Sequence, residues 1–265
     1  MSEVVATERH GKVLLITLNR PPVNAINRPT SRALHEALST LQNDPGLSVG
    51  VITGGGRLFS AGWDLKAVAA AENLDAESSG TAPGGFGGIS EYWDLHKPVV
   101  AAVNGHAIGG GFEIALACDI ILANEATEFW LPEMQLGFLP DAGAIQRLPR
   151  RIPYNIFTEM MLTGRHLSAQ EAHRWGLVNE VLPAEKVLPR AMEMATKIAE
   201  SAPLALQAFK ATMQEIMTLS VREAMGRTKT GRSQIPAYER MMQSEDALEG
   251  PRAFAAKRKP NWKGR

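Results

Sequence analysis

Short β-branched segments that alternate with helical segments constrain the fold of this 265-residue chain more than any other feature. Their composition predicts four strands, over Val13–Leu18, Val49–Thr53, Val99–Val103 and Ile120–Ala123. Helical spacing of apolar residues falls between them, over Thr30–Leu41 and Phe112–Ala117. Strands separated by helices pair in parallel through crossover connections, so the pattern predicts an α/β fold.

The chain changes character after about Leu182, where helical segments follow one another without intervening strands. Before that point, Ser168-Ala-Gln-Glu171 has the form of a capping box, and Gly176 ends the short helix that it begins. Beyond it, the spacing predicts helices over Ala184–Ser201, Leu204–Leu219 and Ser244–Lys257, with Pro203 and Pro251 near their boundaries. We therefore expect an α/β core over residues 1–182 and a helical C-terminal region over residues 183–265.

Composition excludes several classes of protein. Lysine and arginine together equal aspartate and glutamate at 28 each, and this zero net charge argues against a nucleic-acid-binding protein. The single cysteine, Cys118, forms no internal disulfide, and the six histidines show no metal-ligand spacing. Neither a secretory signal nor an apolar run of the roughly 20 residues needed to cross a bilayer is present. We expect a cytoplasmic protein with no metal and no membrane contact.

Three segments carry residue types suited to chemistry, and the first is Asn104-Gly-His-Ala-Ile-Gly-Gly-Gly-Phe-Glu113. Successive glycines between a strand and a helix leave the backbone open to a ligand, and the first helical turn offers N–H groups and a partial positive charge. Such a segment favours the binding of an anionic oxygen. Glu113 lies just inside the predicted helix, so its carboxylate is a candidate to face the same bound group. A glycine-rich helix entry packed tightly on its sheet explains the segment equally well.

The other two segments are Phe59–Lys66 and Leu131–Pro140. In the first, Gly62 precedes a polar helix start, so the Trp63 N–H is a second candidate donor. Ser60 lacks the preceding glycine of a nucleophile elbow. In the second, Glu133 follows a proline in apolar surroundings, where desolvation raises a carboxyl pKa. A turn residue that caps the next segment is the alternative interpretation of Pro132-Glu133.

Taken together, the segments predict a site for an enolate. The α-proton of a thioester is too weakly acidic to leave unaided, and each N–H donor aimed at the enolate oxygen is typically worth about 2.7–4 kcal/mol. One carboxylate then moves the α-proton while the other handles water or hydroxide at the β-carbon.

These segments, FSAGWDLK, KPVVAAVNGHAIGGGFEIALACD and LPEMQLGFLPDAG, resemble the enoyl-CoA hydratase/isomerase (crotonase) superfamily in type and order. The resemblance extends over essentially the whole chain. It implies a spiral core of ββα units, a C-terminal region that forms trimers, and assembly as a homotrimer or a homohexamer. Within the superfamily, Trp63, the PGGFGG segment and the C-terminal sequence are most similar to one subfamily of dehydratases.

The resemblance also implies the roles of individual residues. Glu113 and Glu133 match the two catalytic glutamates of hydratases, whereas related isomerases often keep only the second. Trp63 and Gly110 match the residues whose N–H groups form the oxyanion hole. Residues that match coenzyme A or substrate contacts are Asn24, Ala25, Ala61, Asp64, Leu65, Lys66, Phe86 and Gly109.

The resemblance implies an acyl-CoA thioester as substrate and no separate cofactor, because coenzyme A is part of the substrate. A trimethylammonium group on the acyl chain would favour aromatic faces, for which Trp63, Phe86, Trp93 and Trp130 are candidates. Packing in the core or in an interface is the alternative role for each, above all for Trp93 and Trp130. The resemblance implies an acyl-CoA hydro-lyase that reversibly hydrates a 2-enoyl-CoA or dehydrates a 3-hydroxyacyl-CoA. The competing hypotheses are a general enoyl-CoA hydratase, an isomerase or thioesterase on the same scaffold, and a non-enzymatic CoA-binding or RNA-binding protein.

The glycine- and serine-rich stretch Ala69–Ser90 interrupts the alternation of strands and helices. A mobile surface loop is the plain interpretation. A loop that borders the binding site, with Phe86 covering the ligand, is the alternative.

Overall fold

The computed structural model describes residues 3–70, 79–229 and 231–265. The strands in these ranges are β1 (Val5–His10), β2 (Val13–Leu18), β3 (Val49–Gly54), β4 (Thr81–Ala82), β5 (Gly85–Phe86), β6 (Val99–Val103), β7 (Ala107–Ile108), β8 (Ile120–Asn124), β9 (Glu128–Trp130), β10 (Leu167–Ser168) and β11 (Glu180–Leu182). The helices are α1 (Arg28–Asn43), α2 (Leu65–Ala69), α3 (Gly110–Ala117), α4 (Ala144–Arg147), α5 (Tyr154–Thr163), α6 (Ala169–Arg174), α7 (Ala184–Ala199), α8 (Pro203–Ile216), α9 (Val221–Arg227), α10 (Pro236–Met242) and α11 (Glu245–Ala255).

The main sheet has the strand order β1-β2-β3-β6-β8-β11. Only the first pair, β1 with β2, is antiparallel, and the following pairs are parallel. Parallel strands are buried on both faces and are therefore apolar throughout, which is why VVAAV and IILAN are recognisable in the sequence. The predicted α/β fold class is confirmed.

Side chains of the central strands alternate between two apolar clusters, one on each face of the sheet. In β6, Val99, Ala101 and Val103 join the larger cluster, whereas Val100 and Ala102 join the smaller one. Helix α1 packs on the first face, where its buried residues include Leu34, Leu38 and Leu41. Full burial of such a leucine is worth about 1.5–3 kcal/mol, so these side chains fix α1 on the sheet.

The C-terminal helices begin as predicted, directly after β11. Helix α7 packs on the second face of the sheet through Val187, Ala191 and Ala195, so it supplies part of the core. Pro203 occupies the first turn of α8, where its missing N–H costs nothing. Pro251 differs from expectation because it lies inside α11 rather than near a boundary. The division into a core over 1–182 and a trimerisation region over 183–265 stays a prediction.

A second, smaller sheet has the order β10-β9-β7 and lies where the predicted chemical segments leave the core. Its β7 and β9 are parallel, with Ala107 opposite Phe129 and Ile108 opposite Trp130. Parallel pairing sends both chains out of the sheet at the same edge. The segments that follow β7 and β9 therefore emerge side by side.

In the predicted glycine-rich loop, Ala69 ends α2 and Ala70 caps it, whereas residues 79–90 pack against α1. The Ser31 hydroxyl donates to the Gly80 carbonyl at 2.5 Å and accepts from the Gly87 N–H at 2.9 Å. Phe86 is only 6% exposed, so residues 79–90 are packed against the rest of the protein. Residues 71–78 of the predicted loop lie outside the described residues.

None of the helices within the described ranges is long and apolar enough to cross a membrane.

Candidate active site

Three backbone segments meet at one edge of the small sheet. The Ile108 N–H donates to the Ser60 carbonyl at 3.0 Å, and Ser60 forms a parallel bridge with Ala107. The Gly109 N–H donates to the Trp130 carbonyl at 2.9 Å. The Ser60 segment, the glycine segment and the Pro132-Glu133 segment therefore leave the sheet together, which brings the three predicted chemical segments into one place.

The backbone near Gly62 approaches the start of α3 too closely for a side chain. A Cβ at Gly62, where φ is +76°, would lie 2.7 Å from the Gly110 nitrogen and 2.5 Å from the Ile108 carbonyl oxygen. Because the Ile26 N–H donates to the Gly62 carbonyl and the Asp64 N–H donates to Ile26, the intervening Trp63 N–H is directed away from Ile26. The Trp63 and Gly110 amides thus belong to adjacent segments beside one cavity.

Glu113 lies in the first turn of α3 and is 3% exposed. Its Oε1 accepts a hydrogen bond from the Ala144 N–H at 2.9 Å, at the start of α4. Burial raises the pKa of Glu113 to about 8, and the negative charges of Glu133 and Asp141 act in the same direction. The Ala144 hydrogen bond and the positive charge of Arg147 oppose that shift.

Glu133 begins the short 3₁₀ helix Glu133–Leu136, three residues after β9 ends. Its Oε2 is buried and has no hydrogen-bond partner in the structure. Burial raises the pKa of Glu133 to about 7, with a further contribution from the charge of Asp141. A carboxyl group held near neutral pKa, with one oxygen unpaired, is suited to exchange a proton with a ligand.

The two glutamates border the same cavity, which has a volume of about 380 Å³. The residues that line it are Trp63, Ser79, Thr81, Phe86, Glu91, Gly110, Glu113, Glu133, Phe138, Leu139, Pro140, Asp141 and Ala142. The structure therefore brings both predicted acids and both predicted amide donors to one space. Their catalytic roles stay predictions at this point.

The residues predicted to contact coenzyme A divide into buried and exposed groups. Asn24 is 1% exposed, and its side-chain amide donates to the Gly55 and Leu58 carbonyls at 2.9 Å. Ala25 is half-buried, and its carbonyl accepts from Arg20 at 2.9 Å. The side-chain amide of Asn24 thus holds the neighbouring loop, and the Asn24 carbonyl accepts from the Ser60 hydroxyl at 2.7 Å, so both groups serve the structure of the site.

The remaining predicted coenzyme A contacts flank α2. Asp64 caps this helix through the Ala67 N–H and pairs with Arg20 at 2.5 Å. Burial acts to raise the pKa of Asp64, but these partners outweigh it and hold the pKa below its ordinary value. Leu65 and Lys66 are exposed and Ala61 is half-buried, so their side chains face accessible space.

Of the four aromatic candidates, only Trp63 and Phe86 line the cavity. A Cβ at Gly110 would lie 2.4 Å from the Phe86 ring, so this ring covers the Gly110 α-carbon. Trp93 is 62% exposed and Trp130 stacks on His166 at 4.1 Å, both away from the cavity lining.

The sequence interpretation missed two contributors to the site. The first is the Ala144 N–H, which donates to the Glu113 carboxyl. Gly143, the N-cap of α4, was the sequence signal that could have indicated a helix start with free N–H groups at this point. Glu91 lines the cavity because the hairpin β4–β5 packs there, and no local motif indicates this. Within the described ranges, no group of three or more His, Cys, Asp or Glu residues could hold a metal ion.

Comparison with known proteins agrees with this geometry. The family described as enoyl-CoA hydratase/isomerase matches residues 8–265. A solved structure of an enoyl-CoA hydratase from Mycobacterium tuberculosis H37Rv superposes with a TM-score of 0.89 and 39% identity, over 100% of both chains. The chain belongs to the enoyl-CoA hydratase/isomerase family.

Within this family, proteins named carnitinyl-CoA dehydratase are close relatives. The protein of that name from Salmonella paratyphi A is 49% identical over 266 residues, covering 100% of both chains. The one from Proteus mirabilis is 48% identical with the same coverage. These are the dehydratases that the Trp63 segment, the PGGFGG segment and the C-terminal sequence resemble. The protein is an enzyme of the lyase type, a hydro-lyase that acts on acyl-CoA thioesters.

Proposed function

We propose that the enzyme interconverts carnitinyl-CoA with crotonobetainyl-CoA and water, using Glu113 and Glu133 as its two proton-transfer groups. The observation that carries the proposal is that both carboxyls line one cavity with Trp63 and Gly110. The 49% identity to carnitinyl-CoA dehydratases supports the choice of acyl group.

In the dehydration direction, the thioester oxygen accepts hydrogen bonds from the Trp63 and Gly110 N–H groups. Glu133 takes the α-proton, the electron pair of that C–H bond forms the new double bond, and the β-hydroxyl leaves with a proton from Glu113. In the hydration direction, Glu113 takes a proton from water as its oxygen bonds to the β-carbon, and Glu133 gives a proton to the α-carbon. The chemistry uses protein groups and the thioester alone, so we propose that no separate cofactor takes part.

Oxyanion stabilisation explains why two backbone amides suffice for this reaction. The negative charge that develops on the thioester oxygen meets two fixed N–H dipoles, which need no reorganisation during the reaction. The first turn of α3 adds its partial positive charge. Each donor of this kind typically stabilises the transition state by about 2.7–4 kcal/mol.

The pKa values predict a bell-shaped pH profile for dehydration. The reaction requires ionised Glu133 and protonated Glu113, and burial places their pKa values at about 7 and about 8. We expect kcat/KM for the 3-hydroxyacyl substrate to rise as the pair loses its first proton near pH 7, and to fall as it loses the second near pH 8. Initial rates between pH 5 and pH 10 test this. A rate that still increases at pH 10 would contradict the assignment of a protonated acid.

Substrate choice is tested by comparing two enoyl thioesters. Hydration removes the ultraviolet absorbance of the conjugated double bond, so the decrease in absorbance measures the rate. We expect kcat/KM for crotonobetainyl-CoA to exceed that for crotonyl-CoA about thirtyfold, because aromatic faces and negative charge at the cavity together favour a cation by roughly 2 kcal/mol. Equal or greater efficiency with crotonyl-CoA would reject the proposed acyl group. No turnover of either would reject the reaction.

A general enoyl-CoA hydratase is the second candidate. Its support is the similarity to the solved enoyl-CoA hydratases from Mycobacterium tuberculosis and Mycobacterium marinum, which are 39% and 40% identical to this chain. The two candidates share the chemistry of Glu113 and Glu133 and differ only in the acyl group, so the same pair of substrates decides between them.

We further propose that the chain works in the cytoplasm as a homotrimer or a homohexamer. Support for the assembly comes from large apolar side chains that the C-terminal helices leave exposed. Phe209 on α8, Val221 on α9 and Phe254 on α11 are 67%, 77% and 88% exposed. Exposed apolar side chains at this density are typical of surfaces that another subunit covers. Sedimentation of the purified enzyme tests the proposed stoichiometry.

A further inference from the structure

Two carboxylates that line the cavity have no part in the proton transfers proposed above. Asp141 follows the Leu139-Pro140 turn on one side of the cavity, and Glu91 follows the hairpin β4–β5 on another. Among the described residues, no lysine, arginine or histidine nitrogen lies within 4.0 Å of either carboxylate. Negative charge at the cavity wall that no basic side chain pairs directly favours a cationic ligand.

The described lining contains acidic side chains but no lysine, arginine or histidine. Arg147 is near Glu91 and Glu113 and balances part of their charge. Its guanidinium donates to the Ser90 carbonyl at 2.6 Å and lies 5.8 Å from the Trp93 ring centre, so it is behind the lining. Glu91 and Asp141 are exposed carboxylates in a lining that holds no basic side chain among its described residues, and negative charge of this kind disfavours an anionic acyl group.

Aromatic rings line the same cavity. Trp63 and Phe138 meet edge to face with their ring centres 5.4 Å apart, and Phe86 lies across the Gly110 α-carbon. Ring faces attract cations, and tryptophan does so most strongly. A quaternary ammonium ion donates no classical hydrogen bonds, so its recognition depends on ring faces and nearby negative charge, the two features present here.

We propose that Asp141 and Glu91, with the rings of Trp63 and Phe138, form a subsite that selects an acyl group ending in a quaternary ammonium ion. The inference rests on the proposed function, because an acyl chain whose α- and β-carbons meet Glu133 and Glu113 would occupy the cavity that Asp141 and Glu91 also line. It goes further by assigning selection to the charge of two named carboxylates rather than to the size of the cavity.

The test separates charge from shape with two substrates of nearly equal volume. Crotonobetainyl-CoA carries a trimethylammonium group, and 5,5-dimethylhex-2-enoyl-CoA carries an uncharged tert-butyl group at the same place. The ratio of their kcat/KM values measures selection for charge alone, because changes in the shared chemistry cancel. We expect the unaltered enzyme to favour the cation by about thirtyfold.

Variants of the two carboxylates are expected to lower that ratio. Asp141→Asn is expected to reduce it about fivefold, and Asp141→Asn combined with Glu91→Gln is expected to bring it within about threefold of unity. Glu36→Gln is the matched control, because Glu36 is an exposed carboxylate on α1 outside the cavity lining. This control is expected to keep the full ratio.

Inhibition by the saturated analogues of both thioesters gives a second readout that requires no turnover and no variant. The cationic analogue is expected to bind the unaltered enzyme more tightly, by the same order as the kcat/KM ratio. A double variant that keeps the original ratio would overturn the subsite, as would an unaltered enzyme that treats both acyl groups alike. Turnover of the neutral isostere in these cases would leave the proposed hydration chemistry intact, whereas turnover of neither substrate would overturn both proposals.

Discussion

The Glu113→Gln variant is expected to lose about 10³-fold in kcat, within the range of 10²–10⁴ that a positioned general acid–base group contributes. The amide keeps the size of the side chain, and its oxygen still accepts the Ala144 N–H bond that the carboxylate accepts at 2.9 Å. It has no proton to give to the leaving hydroxyl and no basicity toward water. Both directions of the reaction are therefore affected, which absorbance assays of hydration and dehydration measure.

The same variant is expected to become more stable at high pH. The folded pKa of Glu113, about 8, lies above the ordinary value of 4.5, so its ionisation opposes folding. The resulting loss in the free energy of unfolding is absent below about pH 4.5, grows as the pH rises and reaches its full size above about pH 8. Glutamine does not ionise and so avoids this loss. We expect the variant to gain about 5 °C in melting temperature at pH 9 and almost nothing at pH 5.

Glu133→Gln is the matched comparison. Its kcat loss is expected to be similar, but its gain in stability is expected to be smaller because the pKa of Glu133 rises only to about 7. Wild-type rates in both variants would reject the two-acid mechanism. If Glu113→Gln melts at the same temperature as the unaltered enzyme at pH 9, the raised pKa assigned to the buried Glu113 carboxyl would be rejected.

The elements that could be predicted from the sequence are those whose burial leaves a local pattern. Strands β3, β6 and β8 are buried on both faces and are nearly continuous apolar runs, so their bounds agree with prediction to within a residue. The edge strand β1 was missed because four of its six residues are exposed, which removes the apolar signal. Helix α1 extends two residues beyond the predicted segment at each end, since Pro29 is tolerated in a first helical turn.

The site residues also divide into those with a local sequence signal and those that only tertiary packing brings to the cavity. Glu113 and Gly110 lie within one glycine-rich segment, and Glu133 belongs to the Pro132-Glu133 pair in apolar surroundings, so the sequence predicted all three. Their closeness in space depends on the pairing of β7 with β9, two short strands that no periodicity indicates. Glu91 is brought to the cavity by tertiary packing alone, and nothing near it in the sequence predicts that position.

Gly109→Ala is expected to lower kcat about 10²-fold without removing any functional group, because a misplacement of about 1 Å costs this much in catalysis. Gly109 has a φ of +51°, and a Cβ there would lie 2.4 Å from the Glu133 Oε1. The glycine therefore leaves the space in which the Glu133 carboxyl rests. An alanine displaces that carboxyl from the α-carbon of the substrate, and kcat for dehydration measures the effect.

Gly176→Ala is the matched control for backbone strain. Gly176 has a φ of +78°, but no atom lies within 4 Å of the position its Cβ would take. Both variants are expected to lose stability from the left-handed backbone, and only Gly109→Ala is expected to lose activity. Adding Gly109→Ala to Glu133→Asp, whose carboxyl is one methylene shorter, is expected to cost less than adding it to the unaltered enzyme. Equal kcat losses in both backgrounds would mean that Gly109 acts on catalysis by a route other than the Glu133 carboxyl.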